Sequence, residues 1–106
     1  MQGTLDLLIL KTLQRGSMPD WAISQPVQKY SKEVLTVKQG SRYTSLHRME
    51  GQGFIKTFWG ISENNRRAKF YELTKKGRKQ FETVEAGWLQ FAKAIQLVLE
   101  SLWKSR

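Results

Sequence analysis

The sequence predicts a mostly α-helical α+β protein, with three helices, a two-stranded β-hairpin and then one long terminal helix. Three observations lead there. Apolar residues recur at helical spacing before residue 54 and again after residue 74, but between them they form β-branched and aromatic runs of strand length. The net charge of +9 is concentrated, since residues 34–80 carry eleven Lys and Arg against three acids. The final segment repeats large apolar residues at alternating spacings of three and four, the pattern of a coiled-coil seam. At 106 residues the chain has the size of one domain, near the limit where a partner subunit supplies part of the core.

The first helix is expected over 4–14, "TLDLLILKTLQ". Leucine or isoleucine at 5, 7, 8, 9, 10 and 13 makes it apolar on more than one face, so it must be buried from more than one side. Leu5 and Leu8 are accordingly candidates for a subunit interface. Gly16 and Pro19 end it, and Asp20 is placed to cap a second helix, "WAISQPVQKYS", packing through Trp21, Ile23, Val27 and Tyr30. Pro26 marks a kink or a boundary there. After a short extended "VLTV", a third helix in "KQGSRYTSLHRMEGQG" turns Arg42 or Tyr43, Leu46 and Met49 inward and closes at Gly53.

The strands are "FIKTFWGIS" and "AKFYEL", joined by "ENNRR", whose asparagines tolerate the positive φ of a tight turn. Aromatic residues occupy both parities, so the inward face of each strand is left open. From Thr74, an N-cap candidate, a helix runs to the C-terminus. Helix, helix, helix, hairpin, long helix is the order of a winged helix-turn-helix with a C-terminal extension, in which the third helix enters the major groove and the hairpin follows the DNA backbone. Residues 1–73 are expected to form the winged domain and residues 74–106 the dimerisation helix.

Other function classes find little support. The chain has no cysteine, which removes disulfides and thiolate metal sites. His47 is the one histidine, with Glu50 three residues on, and is read as a surface polar group rather than a metal ligand. No nucleophile elbow or phosphate loop occurs, so an enzyme is not expected and no cofactor is called for. The N-terminal apolar run is interrupted by Asp6 and Lys11, too short to span a membrane, and a soluble cytoplasmic protein is expected.

The segments "GTLDLLILKTL", "GSRYTSLHRMEGQGFI" and "FWGISENNRRAKFYELTKKGRKQF" resemble the PadR family of transcriptional regulators, most specifically in the spacing of Leu46, Met49, Gly53, Trp59, Asn65, Arg66, Arg67, Tyr71, Leu73, Thr74 and Gly77. The resemblance covers nearly the whole chain. It implies a dimeric winged-helix repressor on an inverted-repeat DNA site, of the shorter branch that ends in a single helix. Some members respond to small aromatic compounds. The chain departs from the family pattern twice. Pro19-Asp20-Trp21 stands where His-Gly-Tyr is usual, and Arg42-Tyr43-Thr44 where Leu-Tyr-Pro is usual.

Candidate DNA-binding residues follow from the third helix and the wing. Gln39, Ser41 and Thr44 are placed for base edges, and Tyr43 and Arg48 for phosphates. Arg42 falls beside the buried face and is expected to snorkel toward the DNA side, because an unpaired buried guanidinium is costly. Asn64, Asn65, Arg66, Arg67 and Lys69 make the hairpin tip a cluster of donors suited to phosphates. The plain alternatives are a solvated helix face and a charged edge strand that resists aggregation. Lys75, Lys76, Arg78 and Lys79 lie against the preference of a helix N-terminus and suggest an external anion.

In the last helix Phe81, Val84, Trp88, Phe91, Ile95, Val98 and Leu102 form the seam, widened by Leu89, Ala92, Leu99 and Trp103. Thirty-odd residues extend about 45 Å, beyond the roughly 30 Å width of the preceding domain, and the excess is expected to pack in a homodimer. Trp88, between Gly87 and Ala92, either fills the interface core or stands beside a gap for a small aromatic ligand. A protein-interaction module with an acidic partner, or a nonspecific nucleic-acid binder, would use the same basic fold.

Overall fold

The computed structural model describes residues 2–104. Its elements are α1 (Gln2–Leu13), β1 (Met18–Pro19), a 3₁₀ turn (Asp20–Ala22), α2 (Ser24–Tyr30), α3 (Gln39–Gly51), β2 (Ile55–Ile61), β3 (Arg67–Leu73) and α4 (Lys75–Lys104). The expected continuation of the last helix to 106 falls partly outside the described residues.

Local signals in the sequence account for most element ends. The Gly53 N–H donates to Glu50 O and the Phe54 N–H to Met49 O, the paired bonds of a Schellman ending, with Gly53 at φ +83° where a side chain would be strained. The hairpin turns through Ser62–Arg66 with Asn65 at φ +58°, a conformation that asparagine tolerates. Thr74 Oγ1 accepts from the Gly77 N–H at 2.9 Å and donates to Gly53 O at 2.6 Å, so one hydroxyl caps α4 and ties it to the end of α3. Gly77 has a packing reason of its own, since a Cβ there would overlap the Phe54 carbonyl.

The sheet has three strands in the order β1-β3-β2, not the two expected. Met18 and Pro19 pair antiparallel with Tyr71 and Phe70 on the free edge of β3, the position where a proline costs no ladder bond. The second helix is also shorter than expected. The 3₁₀ turn takes up 20–22 and α2 starts at Ser24, which puts Pro26 in its first turn, where the missing N–H has no intrahelical acceptor. Asp20 caps nothing. Ile23 and Val27 are buried as expected, but Trp21 and Tyr30 are not, being 47% and 68% exposed. "VLTV" forms no regular element, and the chain leaves α2 through Lys32 and Glu33, both at positive φ.

The core joins Ile9, Leu10 and Leu13 of α1, Ile23, Leu46 and Met49 of α3, Ile55 of β2, Tyr71 and Leu73 of β3 and Phe81 of α4. Phe81 was expected at the dimer seam. It is instead 3% exposed within this core, so it has no surface left for a partner. Leu5 is partly buried against the same cluster, and Leu8 and Val84 are half-buried.

Beyond Ala92 the picture reverses. Every described side chain from Lys93 to Trp103 is exposed, including Ile95, Val98, Leu99 and Leu102. The long axis of the molecule is 60 Å against 29 and 22 Å across, because α4 projects past the domain it caps. No helix among the described residues is long and apolar enough to cross a membrane.

Candidate nucleic-acid interface

Helix α3 divides its residues by face. Arg42, Ser45, Leu46 and Met49 are buried, while Gln39, Ser41, Tyr43, Thr44 and His47 point to solvent. Tyr43 and His47, one turn apart, stack with ring centres 5.8 Å apart. The Thr44 hydroxyl donates to Gly40 O at 3.0 Å, which leaves its oxygen free to accept. Gln39 and Ser41 occupy the exposed first turn, the end that helix-turn-helix proteins present to base edges.

Arg42 does not snorkel outward. Its Nε donates to Asp20 Oδ1 at 2.8 Å and its Nη1 to Ser24 Oγ at 2.7 Å, and the residue is 7% exposed. The guanidinium finds its anion inside the protein, where fixed partners outweigh hydration, and its assignment as a DNA contact is corrected. The two departures from the family pattern are therefore one feature, because Asp20 and Arg42 pair with each other and fasten α3 to the start of α2. Arg48 is also drawn inward, its Nη2 donating to Asp6 Oδ1 of α1 at 2.8 Å. That bond, more than the nearby charge of Asp6, holds the Arg48 proton above its ordinary range against the cost of burial. Because Arg48 is only half-buried, this pairing commits one of its donors to the protein without enclosing the guanidinium as Arg42 is enclosed.

The asymmetry of a buried charge gives a test. Asp20→Ala leaves Arg42 with Ser24 alone and is expected to lower stability by about 1–3 kcal/mol, while adding Arg42→Leu restores most of the loss. Urea unfolding of the single and double variants reads this directly. A double variant no more stable than Asp20→Ala would mean that the pair is not what fastens α3.

The wing carries the remaining candidates. Ile55, Thr57, Trp59 and Ile61 of β2 lie opposite Leu73, Tyr71, Lys69 and Arg67 of β3 and share one face, which settles the parity that the sequence left open. At its base this face is core. Thr57 Oγ1 donates to Glu50 Oε2 at 3.2 Å, so the face abuts the side of α3 that bears Tyr43, His47 and Glu50. Burial, with the charges of Asp20 and Glu50 nearby, pushes the Tyr71 phenol up from its ordinary range and keeps it protonated. Asn64, Asn65, Arg66 and Arg67 are exposed around the turn, and Lys69 is half-buried with its ammonium 5.7 Å from the Tyr71 ring.

Trp59 escaped the sequence reading as a site residue, although it lies in the aromatic run. It is 59% exposed, with the Arg67 guanidinium 4.4 Å from its ring centre. On the opposite face Phe58 and Phe70 stack at 5.5 Å, and Lys56 pairs with Glu72 at 3.6 Å. Of the cations opening α4, Lys76 is committed to the protein, donating to Gln52 O at 2.9 Å where α3 ends. Lys75, Arg78 and Lys79 remain exposed. Among the described residues no cluster of three or more metal-ligating side chains occurs.

A concave feature lies along α4. Gly3 and Thr4 of α1 with Val84, Gly87, Trp88, Phe91, Ala92 and Ile95 line a groove of about 630 Å³, and nothing stands within 4 Å of where a Cβ on Gly87 would be.

Comparison with known proteins gives the family and the fold. Residues 9–83 match the family model described as the transcriptional regulator PadR-like family. A transcriptional regulator from Clostridium thermocellum is 27% identical and superposes with a TM-score of 0.80 over 90% of this chain and 89% of its own. A PadR family transcription regulator from Clostridium difficile is also 27% identical, with a TM-score of 0.74 over 90% of this chain and 97% of its own. A PadR-like transcriptional regulator from Bacillus cereus, 24% identical, shares the fold with a TM-score of 0.79 over 92% of this chain and 93% of its own.

Proposed function

The chain belongs to the PadR-like family of transcriptional regulators, a DNA-binding family and not one of enzymes, and we propose that it acts as a cytoplasmic, homodimeric repressor on an inverted-repeat operator. One observation carries the proposal. The open face of α3 and the cation-bearing face of the wing stand side by side, joined by the bond between Thr57 and Glu50, so a single duplex can meet both. Gln39, Ser41 and Thr44 are assigned to base edges, Tyr43 to phosphate, and Asn64, Asn65, Arg66, Arg67 and Lys69 to the backbone beside the wing. Residues 1–73 serve DNA, and residues 74–106 serve the dimer through Val84, Trp88, Phe91, Ile95, Val98 and Leu102, with Leu5 and Leu8 of α1 beside them.

The groove at Trp88 is the proposed seat of a small aromatic effector, whose indole wall and open space at Gly87 suit a planar guest. A guest there would wedge the long helices and change the separation of the two α3 helices, with a coupling typically of about 1–3 kcal/mol.

A competition assay tests the function. Labelled duplex from the upstream region of the protein's own operon should be displaced by the same unlabelled duplex well before random duplex or folded RNA. Equal displacement by all three would leave only nonspecific binding. For the effector, planar aromatic compounds should quench tryptophan emission at micromolar concentration, and Trp88→Phe should weaken them. A binder indifferent to Trp88→Phe would remove the ligand role from Trp88.

A further inference from the structure

The wing shows large apolar groups where a solvent-exposed hairpin has no use for them. Trp59 is 59% exposed and Ile61 64%, both on the face that continues outward from the core past α3. The opposite face is partly satisfied, since the Phe58 and Phe70 rings stack and a Cβ on Gly60 would press on the Phe70 ring at 3.0 Å, although Phe58 stays 42% exposed. The ribbon therefore places its two most exposed apolar groups, tryptophan and isoleucine, on the other face, where neither has a ring partner among the described residues.

The charge around those groups selects the partner. Arg67 lies over the Trp59 ring at 4.4 Å and pairs in register with Ile61, and Lys69 stands opposite Trp59. No carboxylate of the ribbon itself belongs to this face, because Glu72 is on the other one with Lys56 and Glu63 is in the turn, and Glu50 of α3 meets it at Thr57, on the core side of Trp59. An apolar protein surface would not call for the cations, and a phosphate row alone would not call for the indole. A DNA groove asks for both, with phosphates at its walls and sugars and base edges inside.

We propose that Trp59 and Ile61, with Arg67 held on the indole face, form a wedge that enters the minor groove beside the major-groove site of α3 and gives the protein a preference for A·T-rich flanking sequence. This rests on the DNA-binding reading and adds a specificity element to it. The preference has two physical sources. A narrow A·T minor groove concentrates negative potential and attracts a guanidinium. Apolar side chains enter that groove by opening base steps, which the guanine amino group obstructs.

The test uses the full-length protein and duplexes that share a half-site but differ in the base pairs under the wing. Wild-type protein is expected to bind A·T flanks roughly tenfold more tightly than G·C flanks. Flanks of inosine·cytosine, which lack the minor-groove amino group but keep the G·C major-groove pattern, should behave as A·T. Trp59→Ala should bring the ratio near one while the salt dependence stays as steep, and Trp59→Phe should keep part of the preference. If wild-type protein ignores the flanks, or inosine·cytosine behaves as guanine·cytosine, the minor-groove assignment is wrong, whatever the variants do. A flank preference that survives in folded Trp59→Ala overturns the wedge. Loss of salt-dependent duplex binding altogether would instead remove the DNA-binding reading on which the inference stands.

Discussion

Replacing Ile95 and Leu102 together with glutamate is expected to abolish the dimer and, with it, most of the folded population. The argument starts from what α4 leaves uncovered. Phe91, Ile95, Val98 and Leu102 are 62%, 42%, 54% and 63% exposed in the protomer and recur along one side of the helix. Burying such a side chain fully is worth about 1.5–3 kcal/mol, so completing the burial of these residues on both copies contributes on the order of 10 kcal/mol. That is comparable to the whole stability of a small domain, about 5–15 kcal/mol. Four carboxylates, two from each copy, would carry a desolvation cost within the seam as well. Sedimentation should show a dimer for the wild type at micromolar concentration and its loss in the variant. The melting temperature of the wild type should rise with concentration, as it must when folding and association are linked. A wild-type protein that sediments as a compact monomer with a concentration-independent melt would overturn both the dimer and the explanation of α4.

Features encoded within a few residues could be read from the sequence. Gly53 ends α3, Thr74 caps α4 and Asn65 turns the hairpin, because a positive φ or a side-chain cap has a short list of residues that serve it. Features that depend on what lies across the fold could not. β1 is two residues long and contains a proline, so no periodicity announces it, and it exists only because β3 offers an edge. The inward turn of Arg42 needed Asp20, twenty-two residues away, and the inward turn of Arg48 needed Asp6, forty-two away. Phe81 fits the heptad spacing of the seam as well as the residues after it, and only the fold shows that the domain core ends at Phe81 while the exposed stripe begins after it. The same limit applies in the wing, where aromatics on both parities hid the fact that Phe58 and Phe70 stack on each other while Trp59 is left more exposed on the other face.

Removing Arg66 and Arg67 together is the substitution expected to damage DNA binding most without harming the fold. Both are exposed, and neither forms an ion pair with a carboxylate among the described residues, so alanine leaves no buried group unpartnered. Each phosphate neutralised on duplex DNA contributes a slope of about −0.9 to log K against log salt, and four per protomer would give a dimer a slope of roughly −7. The double variant removes four cations from the dimer and should make the slope shallower by about half. At ~0.15 M salt each lost contact lowers log K by about 0.7, so the combined loss approaches a thousandfold. A guanidinium facing the groove displaces condensed cations as one facing a phosphate does, so the estimate holds for Arg67 in either place. Operator and random duplex should weaken together, because these contacts position the protein and read no base in the major groove. Binding measured from low to moderate salt on both duplexes checks the claim. An unchanged slope with unchanged affinity would mean that the wing stays off the duplex. A loss confined to the operator would mean that Arg66 and Arg67 read sequence there, and the phosphate role would then have to pass to Lys75, Arg78 and Lys79 at the start of α4.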